Sequence, residues 1–480
     1  MKVLFVNPPR HDGLPVIRED RCEIVNRYLV NPPYSLIQMA SVLRERGHEV
    51  QVVDANCEDL EHSQVRNTIG GIEPDMVVFR FTPTTIHADM EVAKSAKSVC
   101  PDTTTVGICW TLRTFAKEIV RDKEDLDVYL MGEYGAYETT LVNLLEARNQ
   151  GKPLSTVKGI VFRAEKDAIS TGPCTSQYPF DELPVPAYDL LPPLSKYYIS
   201  PKHNRHSPFT IMYTSMGCPY TCSFCVVRQT AWRGRSVQSI MKETTYLKNE
   251  HGLRCVFFMD EVFTYERKRT VKICKAFIDN EMDLTWYTST RVDLVDRELL
   301  ELMRSAGCRS ISFGIESGSQ RVLDYAGKGV TVEQALKAVA MAKEAKIGTH
   351  LSFVLGLPGE NWETVKETTE FVGKALPTMA QFNVAVPYPG TPLFEWALAR
   401  GWIDRELDYT QLQHQVSIMR TEEMTTEELE KARKKAYRSL YFNPRWILSQ
   451  LSNPEDLTLT IRYYLKCLQM YLLHGMKHSH

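Results

Sequence analysis

The sequence lacks an excess of charge of either sign and lacks any long apolar run. Its 480 residues include 57 Lys and Arg against 59 Asp and Glu, for a net charge of -2. This balance gives no reason to expect a nucleic acid as partner. No apolar run reaches transmembrane length, and residues 1–6 have the pattern of a strand rather than of a signal peptide. We therefore expect a cytoplasmic protein without a membrane span.

The chain also lacks the signs of a disulfide framework. Its 12 cysteines are spread over a long sequence with no secretion signal, which indicates thiols in a reducing compartment. Three of them are clustered with CxxxCxxC spacing, at Cys218, Cys222 and Cys225. The apolar run 209–213 before them predicts a buried strand, and Gly217 ends it. The sequence therefore places three thiols on a loop at the end of a strand.

Three closely spaced thiolates suit a soft metal centre. A four-iron cluster bound by three cysteines would keep one iron free for another ligand. A zinc site needs a fourth Cys or His nearby. His203 and His206 are close in sequence but precede the strand and are expected at its opposite end. Idle cysteines are the remaining alternative, and the tight spacing argues against it.

Strands alternate with helices in two separate stretches of the chain. Residues 1–148 predict a doubly wound parallel sheet, and 209–395 predict six strand–helix units that form a partial (β/α)6 barrel. The proline-rich stretch 149–208 between them predicts an extended linker with one hairpin-like strand. Residues 396–480 have helix-forming composition and predict a small helical domain that caps the barrel mouth. The fold class is therefore α/β.

The CxxxCxxC loop, with aromatic Phe224 before its last cysteine, resembles that of the radical S-adenosylmethionine (SAM) superfamily. The resemblance implies a [4Fe-4S] cluster on Cys218, Cys222 and Cys225 whose open iron binds the amino and carboxylate groups of SAM. Reduction of the cluster, by an electron donor such as flavodoxin or ferredoxin, would cleave SAM to methionine and a 5′-deoxyadenosyl radical.

The other polar and glycine signatures of 209–395 fall at the carboxyl ends of predicted strands, where βα barrels hold their active sites. Glu316 is suited to accept hydrogen bonds from the SAM ribose, and Arg291 is suited either to pair with the SAM carboxylate or to form a local ion pair with Asp293. Tyr388 is a candidate for the substrate face. The expected SAM contacts are Phe224, Met259, Asp260, Glu261, Arg291, Glu316 and Gly356.

No GxGxxG motif follows the first strand, which argues against a dinucleotide in the first domain. This domain instead resembles the cobalamin-binding module that precedes many radical SAM cores. The resemblance implies cobalamin contacts at Asn7, Pro8, Asp54, Arg80, Phe81, Thr82, Gly107, Trp110, Gly132 and Glu133. The DxHxxG motif is absent, so no histidine is expected to reach the cobalt, and Arg80, Phe81 and Thr82 are candidates for its lower face. Gly107 would allow close backbone approach. Trp110 either stacks on the cofactor or packs in the core.

Methylthiotransferases are a rival family, because they carry three further cysteines in their first domain. Cys22, Cys57 and Cys100 lack the expected glycine and asparagine context, and we interpret them as ordinary thiols. Only Cys467 lies in the last domain, so no cysteine-bound auxiliary cluster is expected there.

The combined resemblance implies a cobalamin-dependent radical SAM C-methyltransferase. One SAM would form methylcobalamin and a second would give the radical, because an unactivated carbon offers no acidic proton for base catalysis. The substrate hypothesis is a protein glutamine residue of methyl-coenzyme M reductase, based on size and two-module layout. The alternatives are oxidative cyclisation or rearrangement of a small molecule with the same cofactors, and a non-catalytic sensor or carrier.

Overall fold

The structure is a computed structural model. It describes residues 1–19, 23–24, 29–132, 137–165, 167–174, 178–199, 206–404 and 408–451. Among these residues no helix combines the length and the apolar character that a membrane crossing requires.

The first module is built on a seven-stranded sheet. In chain order the strands of this region are β1 (Lys2–Asn7), β2 (Val16–Ile17), β3 (Glu23–Ile24), β4 (Glu49–Asp54), β5 (Met76–Arg80), β6 (Thr104–Ile108), β7 (Val128–Leu130), β8 (Ile160–Ala164) and β9 (Asp167–Ser170). The helices are α1 (Tyr34–Glu45), α2 (Ala55–Glu58), α3 (His62–Ile72), α4 (Ile86–Asp89), α5 (Glu91–Val99), α6 (Ala116–Asp122) and α7 (Glu138–Asn149). The sheet order is β4-β1-β5-β6-β7-β8-β9, and β2 pairs with β3 separately.

The strands from β4 to β7 in this order are parallel, which confirms the predicted doubly wound sheet. Helices cover both faces, so strands such as β1 are buried on both sides and have continuous apolar sequences. The chain passes from β1 outward to β4 and then back across β1 to β5. This reversal is the topological switch point, where open α/β sheets hold their ligands beyond the carboxyl ends of the strands.

The first sheet extends beyond the predicted boundary at residue 148. β8 and β9 lie inside the predicted linker 149–208, but they add to the sheet as antiparallel edge strands, with Ile160 opposite Leu130. The pairing covers the edge of β7, which would otherwise expose unpaired backbone groups. The strap that follows is irregular, as its prolines predict, and its buried Tyr188 and Tyr197 anchor it to both modules.

The second module is a six-stranded sheet with the order β10-β13-β14-β15-β16-β17, and all its pairings are parallel. Its strands, with the small β11–β12 pair, are β10 (Phe209–Met212), β11 (Ser215–Met216), β12 (Arg233–Gly234), β13 (Cys255–Phe258), β14 (Thr285–Thr290), β15 (Cys308–Glu316), β16 (Gly348–Leu355) and β17 (Met379–Val384). The helices are α8 (Val237–His251), α9 (Arg267–Asp279), α10 (Arg297–Ser305), α11 (Gln320–Tyr325), α12 (Val332–Glu344), α13 (Trp362–Ala375) and α14 (Pro392–Ala399). The predicted partial barrel is confirmed.

The two faces of the barrel strands differ in character. In β16, Leu351 and Phe353 are fully buried against the outer helices, and the Phe353 ring lies 5.9 Å from that of Phe371 in α13. His350 and Ser352 point to the opposite face and are half-buried. This alternation leaves a polar inner face below the carboxyl ends of the strands.

The last described elements are α15 (Thr426–Tyr441) and α16 (Pro444–Leu451). These two helices agree with the helical character predicted for 396–480, of which residues 405–407 and 452–480 lie outside the described part of the chain, but α15 lies beside the sheet rather than over the barrel mouth. The Tyr437 hydroxyl accepts from the Phe382 amide at 3.2 Å, and the Tyr441 hydroxyl donates to the Ala380 carbonyl at 3.1 Å. The two tyrosines thus satisfy backbone groups of the edge strand β17.

Candidate active site

The three clustered cysteines lie on a loop at the carboxyl end of β10, directly after β11. Gly217 begins this loop with a φ of +90°. A Cβ at this position would collide with the Ala231 carbonyl, so the turn requires glycine. The Cys218 amide donates to Thr230 Oγ1 at 2.8 Å, which ties the start of the loop to its end. The thiols therefore lie at the end of a strand, as the sequence predicts.

The thiols are close enough to influence one another electrostatically. Cys222 is buried, while Cys218 and Cys225 are half-buried, and all three are free. Burial raises the pKa of Cys225 to about 12 and also raises that of Cys218, and Lys328 acts in the opposite direction on both. Ligation to iron would overcome this shift, because a metal centre deprotonates the thiols that bind it.

The arrangement fits a multi-iron cluster better than a single zinc ion. Nowhere in the described ranges do three His, Cys, Asp or Glu side chains surround one ion position. A four-iron cluster does not need such convergence, because each cysteine binds a different iron. Three thiols on one loop are the number of ligands that a four-iron cluster with one open iron takes.

Asp260 and Glu261 hold the strand exit that leads to the cysteines. The fully buried Asp260 carboxylate accepts from the Thr214 amide at 2.8 Å and from the Thr214 and Ser215 hydroxyls at 2.5 Å each. Burial raises the pKa of Asp260, and Arg269 acts in the opposite direction. Glu261 accepts from the Gly217 amide at 3.1 Å. These carboxylates, predicted as SAM contacts, support the cluster loop in this structure; the adjacent Met259 is buried.

Arg291 has the local ion pair that the sequence left open. Its guanidinium donates twice to Asp293, at 2.9 and 3.0 Å, and once to the Lys328 carbonyl, at 2.9 Å. The same group lies 3.7 Å from the centre of the Tyr220 ring, inside the cysteine loop. Arg291 therefore connects the loop to neighbouring segments of the barrel.

Glu316 lies in a strained backbone position at the end of β15. Its φ is +67°, and the register between β15 and β16 shifts between Gly314 and Glu316. Such a conformation costs a non-glycine residue about 1–3 kcal/mol and is concentrated at functional sites. A Cβ at Gly314 would lie 2.5 Å from Glu316 Oε1, so the glycine makes room for the carboxylate. Lys328 Nζ donates to that oxygen at 2.7 Å.

Lys328 is the charged residue of this site that the sequence analysis missed. It is 7% exposed and is separated from Glu316 by a helix and a turn. A possible signal was its place between Gly327 and Gly329, both of which have positive φ and form a tight loop. Nothing in the local sequence indicated that this loop reaches the cysteines.

Gly356, Phe224 and Tyr388 occupy different parts of the surroundings. Gly356 has a φ of +87°, and a Cβ there would lie 2.9 Å from a Leu429 methyl group in α15. Its amide donates to Glu360 at 3.3 Å, and burial raises the pKa of Glu360 to about 7. Phe224 packs in an apolar cluster around Leu357 and Leu393. Tyr388 is buried among side chains of the first module, and its hydroxyl lies 3.1 Å from His414 Nε2.

The first module's strand-end residues are largely bound to one another. Asn7 donates to Asp54 at 2.8 Å, and the Tyr197 hydroxyl donates to the other Asp54 oxygen at 2.7 Å. Burial raises the pKa of Asp54 to about 6. The Pro8 carbonyl accepts from Arg18 at 3.0 Å. The predicted cobalamin contacts Asn7, Pro8 and Asp54 therefore form part of an internal network.

The three lower-face candidates are also buried within the module. Arg80 donates to Ser35 Oγ at 2.8 Å, the Thr82 hydroxyl lies 2.7 Å from that of Thr85, and Phe81 belongs to the apolar core. Gly107 faces this core, since its Cβ would lie 3.0 Å from the Phe81 ring and from a Leu126 methyl group. The close approach that Gly107 allows in this structure is thus to core side chains. Gly132 has a φ of +50°, and Glu133 lies outside the described residues.

The switch point between β1 and β5 retains a small cavity lined by Asn7, Arg18, Asn31 and Arg80, among others. Its volume is about 10 Å³, roughly the space for one water. The buried Asn31 Oδ1 has no hydrogen-bond partner. An unused amide acceptor beside further polar side chains has the chemistry to bind the amide-bearing periphery of a corrinoid.

Trp110 joins the two modules. Its indole Nε1 donates to the Val226 carbonyl of the cysteine loop at 3.1 Å, and its ring packs on Val227 beside Cys218 and Cys225. The Arg113 guanidinium lies 4.1 Å from the ring centre on the first-module side. Of the two alternatives for Trp110, the structure has packing, but at the junction between the modules rather than in the core of one.

Comparisons with known proteins agree with this arrangement. A model of the radical SAM superfamily matches residues 212–372. An uncharacterised methyltransferase of Pyrococcus horikoshii is 32% identical over 457 residues, which cover 94% of this chain and 95% of that protein. The anaerobic magnesium-protoporphyrin IX monomethyl ester cyclase of Rubrivivax gelatinosus is 28% identical over 490 residues, covering 99% and 83% of the two chains.

A solved structure shares the two-module fold. It is the cobalamin-dependent SAM radical enzyme OxsB, described with aqua-cobalamin and SAM bound. The TM-score is 0.74 at 17% identity, and the match covers 99% of this chain and 76% of OxsB. At this identity the likeness establishes the fold alone.

Proposed function

Because this chain belongs to the radical SAM superfamily, we propose that it is a cobalamin-dependent methyltransferase that acts on an unactivated carbon atom. The observation that carries the proposal is the cysteine loop itself. Its three thiols lie at the active-site end of a partial barrel, and Trp110 of the first module packs in one apolar cluster with Val227, Cys218 and Cys225. One reaction centre can therefore be shared by both modules.

The cysteine loop would hold a [4Fe-4S] cluster through Cys218, Cys222 and Cys225. We assign SAM to the adjoining strand ends, with Glu316, Arg291 and the Met259 segment among its neighbours, and cobalamin to the carboxyl ends of the first module's strands. When bound, these groups supply one-electron cleavage and methyl transfer, which side chains alone cannot perform. The other SAM, cobalamin and substrate contacts predicted from the sequence are proposals of the same kind.

The chain's own residues position and shield these groups. Trp110 and Val227 form an apolar contact over the loop, which limits the access of water to a radical reaction. Asp260 and Glu261 fix the strand exit through hydrogen bonds to Thr214, Ser215 and Gly217. Such fixed supports keep the reacting groups in place without reorganisation during the reaction.

The test is incubation of the anaerobically reconstituted protein with methyl-labelled SAM, a one-electron reductant, cobalamin and candidate substrates. The expected result is labelled methyl on a carbon of the product, together with both 5′-deoxyadenosine and S-adenosylhomocysteine. A protein that consumes substrate without transferring the label would contradict the proposal. Cys222→Ala is the matched control for background cleavage of SAM.

A second candidate is oxidative cyclisation or rearrangement of a small molecule. It is favoured by the likeness to the magnesium-protoporphyrin cyclase, which covers 99% of this chain. The same incubation separates the two reactions, because cyclisation predicts 5′-deoxyadenosine without S-adenosylhomocysteine. The product would then not gain the mass of a methyl group.

For the substrate and partners we propose the classes that the sequence suggested. The substrate hypothesis is a protein glutamine residue of methyl-coenzyme M reductase, and the electron donor is a flavodoxin or ferredoxin in a reducing cytoplasm. A peptide containing that glutamine should gain one labelled methyl group under the conditions above. An unmodified peptide, beside a small molecule that is methylated, would reject the glutamine and keep the methyltransferase.

A further inference from the structure

A segment of the barrel far from the cysteines in sequence forms one wall of their loop. The Ser223 amide, between Cys222 and Cys225, donates to the Ala326 carbonyl at 2.9 Å. Gly327 follows, so close to the loop that its Cβ would lie 3.5 Å from the Thr221 carbonyl. The segment 326–328 is thus fixed to the loop by its backbone.

Arg291 adds a third connection between this wall and the loop. Its guanidinium donates to the Lys328 carbonyl at 2.9 Å and lies 3.7 Å from the centre of the Tyr220 ring. The positions of Gly327 and Gly329, with φ of +64° and +66°, turn the chain sharply on either side of Lys328. The backbone of Lys328 therefore has little freedom to move away from the cysteines.

The Lys328 side chain is buried and has one acidic partner. Its Nζ donates to Glu316 Oε1 at 2.7 Å, and the two side chains are 7% and 9% exposed. Burial opposes the charge of Lys328, but Glu316 and Cys222 favour it, and its pKa is raised on balance. Lys328 also acts on Cys218 and Cys225. Because the backbone of 326–328 is fixed to the cysteine loop, this positive charge is held near the thiols.

We propose that Lys328 is a positioning residue of the cluster site: its ammonium group, oriented by Glu316, is a fixed positive charge that stabilises the reduced cluster. The cluster takes up one electron from an external reductant, so its negative charge grows by one and no bond is made or broken. A neighbouring cation in a site of low dielectric favours that change. Net charge near an iron–sulfur cluster is one of the established controls of its reduction potential.

The inference rests on the cluster of the proposed function but not on the methyl transfer. It is tested on the full chain, reconstituted anaerobically with iron and sulfide, without SAM, cobalamin or substrate. The measurement is the reduction potential of the cluster, from a dithionite titration followed by electron paramagnetic resonance. Iron content and absorbance before the titration establish that the cluster is present.

Lys328→Met should lower the equilibrium constant for one-electron reduction at least tenfold, which corresponds to 59 mV per tenfold. Lys328→Arg keeps the charge and should change the constant less than threefold. Lys366→Met is the matched control, because Lys366 is 70% exposed on α13 and pairs with the neighbouring Glu370. It should leave the potential unchanged.

Lys328→Met also leaves the buried Glu316 without its partner, so a cycle with Glu316→Gln separates charge from packing. In the Glu316→Gln protein, Lys328→Met should again lower the equilibrium constant for one-electron reduction of the cluster at least tenfold. Unchanged potentials in both comparisons would overturn the proposal. If neither Met variant retains iron while Lys328→Arg and Glu316→Gln do, the need for positive charge is supported; loss of iron from Lys328→Arg as well would overturn it.

Discussion

The carboxyl ends of the two parallel sheets face the same junction but are built differently. At the barrel end, charged side chains pair around the cysteine loop, as in the contacts of Lys328 with Glu316 and of Arg291 with Asp293. At the first-module end, Asn7 donates to Asp54 and Arg80 donates to Ser35. The barrel end is thus built around three thiols, whereas the polar side chains of the first-module end bind one another around a cavity of about 10 Å³.

This difference teaches that the cluster and the cobalamin make different demands on the chain. A cluster needs a few ligands on a fixed loop, and local backbone geometry can supply them. A corrinoid needs a broad surface, whereas the cavity at the switch point of the first module has a volume of only about 10 Å³. The following predictions test the two ends and the contacts that join them, in order of decreasing effect.

The largest effect is expected at the barrel end. Cys222→Ala removes one of three cluster ligands, so reconstituted protein should lose nearly all its iron and its reductive cleavage of SAM. Iron analysis and 5′-deoxyadenosine assays measure both. Cys100→Ala, in the first module, should retain wild-type iron; a Cys222→Ala protein with full iron content would remove the basis of the comparison.

The next effect concerns a buried ion pair that joins the modules. Glu243 accepts from Arg235 at 2.5 Å, from Tyr188 of the strap at 2.9 Å and from Tyr34 of the first module at 3.4 Å. Glu243→Gln should lower the free energy of unfolding by about 3–5 kcal/mol, since it leaves Arg235 buried without a counter-charge. Denaturant titration measures this change.

The control for Glu243 is an ion pair of the same strap that faces solvent. Arg44 and Asp189 lie 2.6 Å apart and are about half exposed, at 44% and 47%. Asp189→Asn should cost at most about 1 kcal/mol. If Glu243→Gln and Asp189→Asn lower the free energy of unfolding equally, burial at the module junction does not determine the loss.

Trp110→Ala should lower the free energy of unfolding, because it removes a contact between the two modules. The loss expected for truncating a large buried aromatic side chain is about 3 kcal/mol. Trp362→Ala is the control, because Trp362 is 38% exposed on α13 and should cost about 1 kcal/mol or less. The comparison is made by thermal and denaturant unfolding; a Trp110→Ala protein as stable as wild type would mean that the modules do not depend on this contact.

The smallest effect is a pH dependence from the first module. Burial raises the pKa of Asp54 from 3.8 to about 6, so the folded state binds a proton more readily than the unfolded chain between these values. Stability should therefore fall by about 2 kcal/mol as the pH rises from 4 to 6. The Asp54→Asn protein should not show this loss of stability between pH 4 and 6. If stability falls equally with pH in both proteins, the loss does not come from Asp54.

Sequence patterns predicted most of the fold. The apolar runs of β1 and β10 and the helical spacing between strands predicted both parallel sheets. The extent of the first module was misjudged, because β8 and β9 gain their place by pairing with β7, a contact between distant residues. The position of the cysteine loop at the end of a strand was predicted, since its spacing, its strand and its Gly217 are adjacent in the chain.

What the sequence alone determined was therefore local: the three thiols, the strand that presents them and the glycine that turns the loop. Only the tertiary structure decided that the segment of Lys328 lies against the cysteine loop and that Trp110 packs on this loop from the other module. The physical reason is that ligand spacing and backbone conformation are set within a few residues. A charge or an aromatic ring brought in from a distant segment depends on how whole sheets and helices pack.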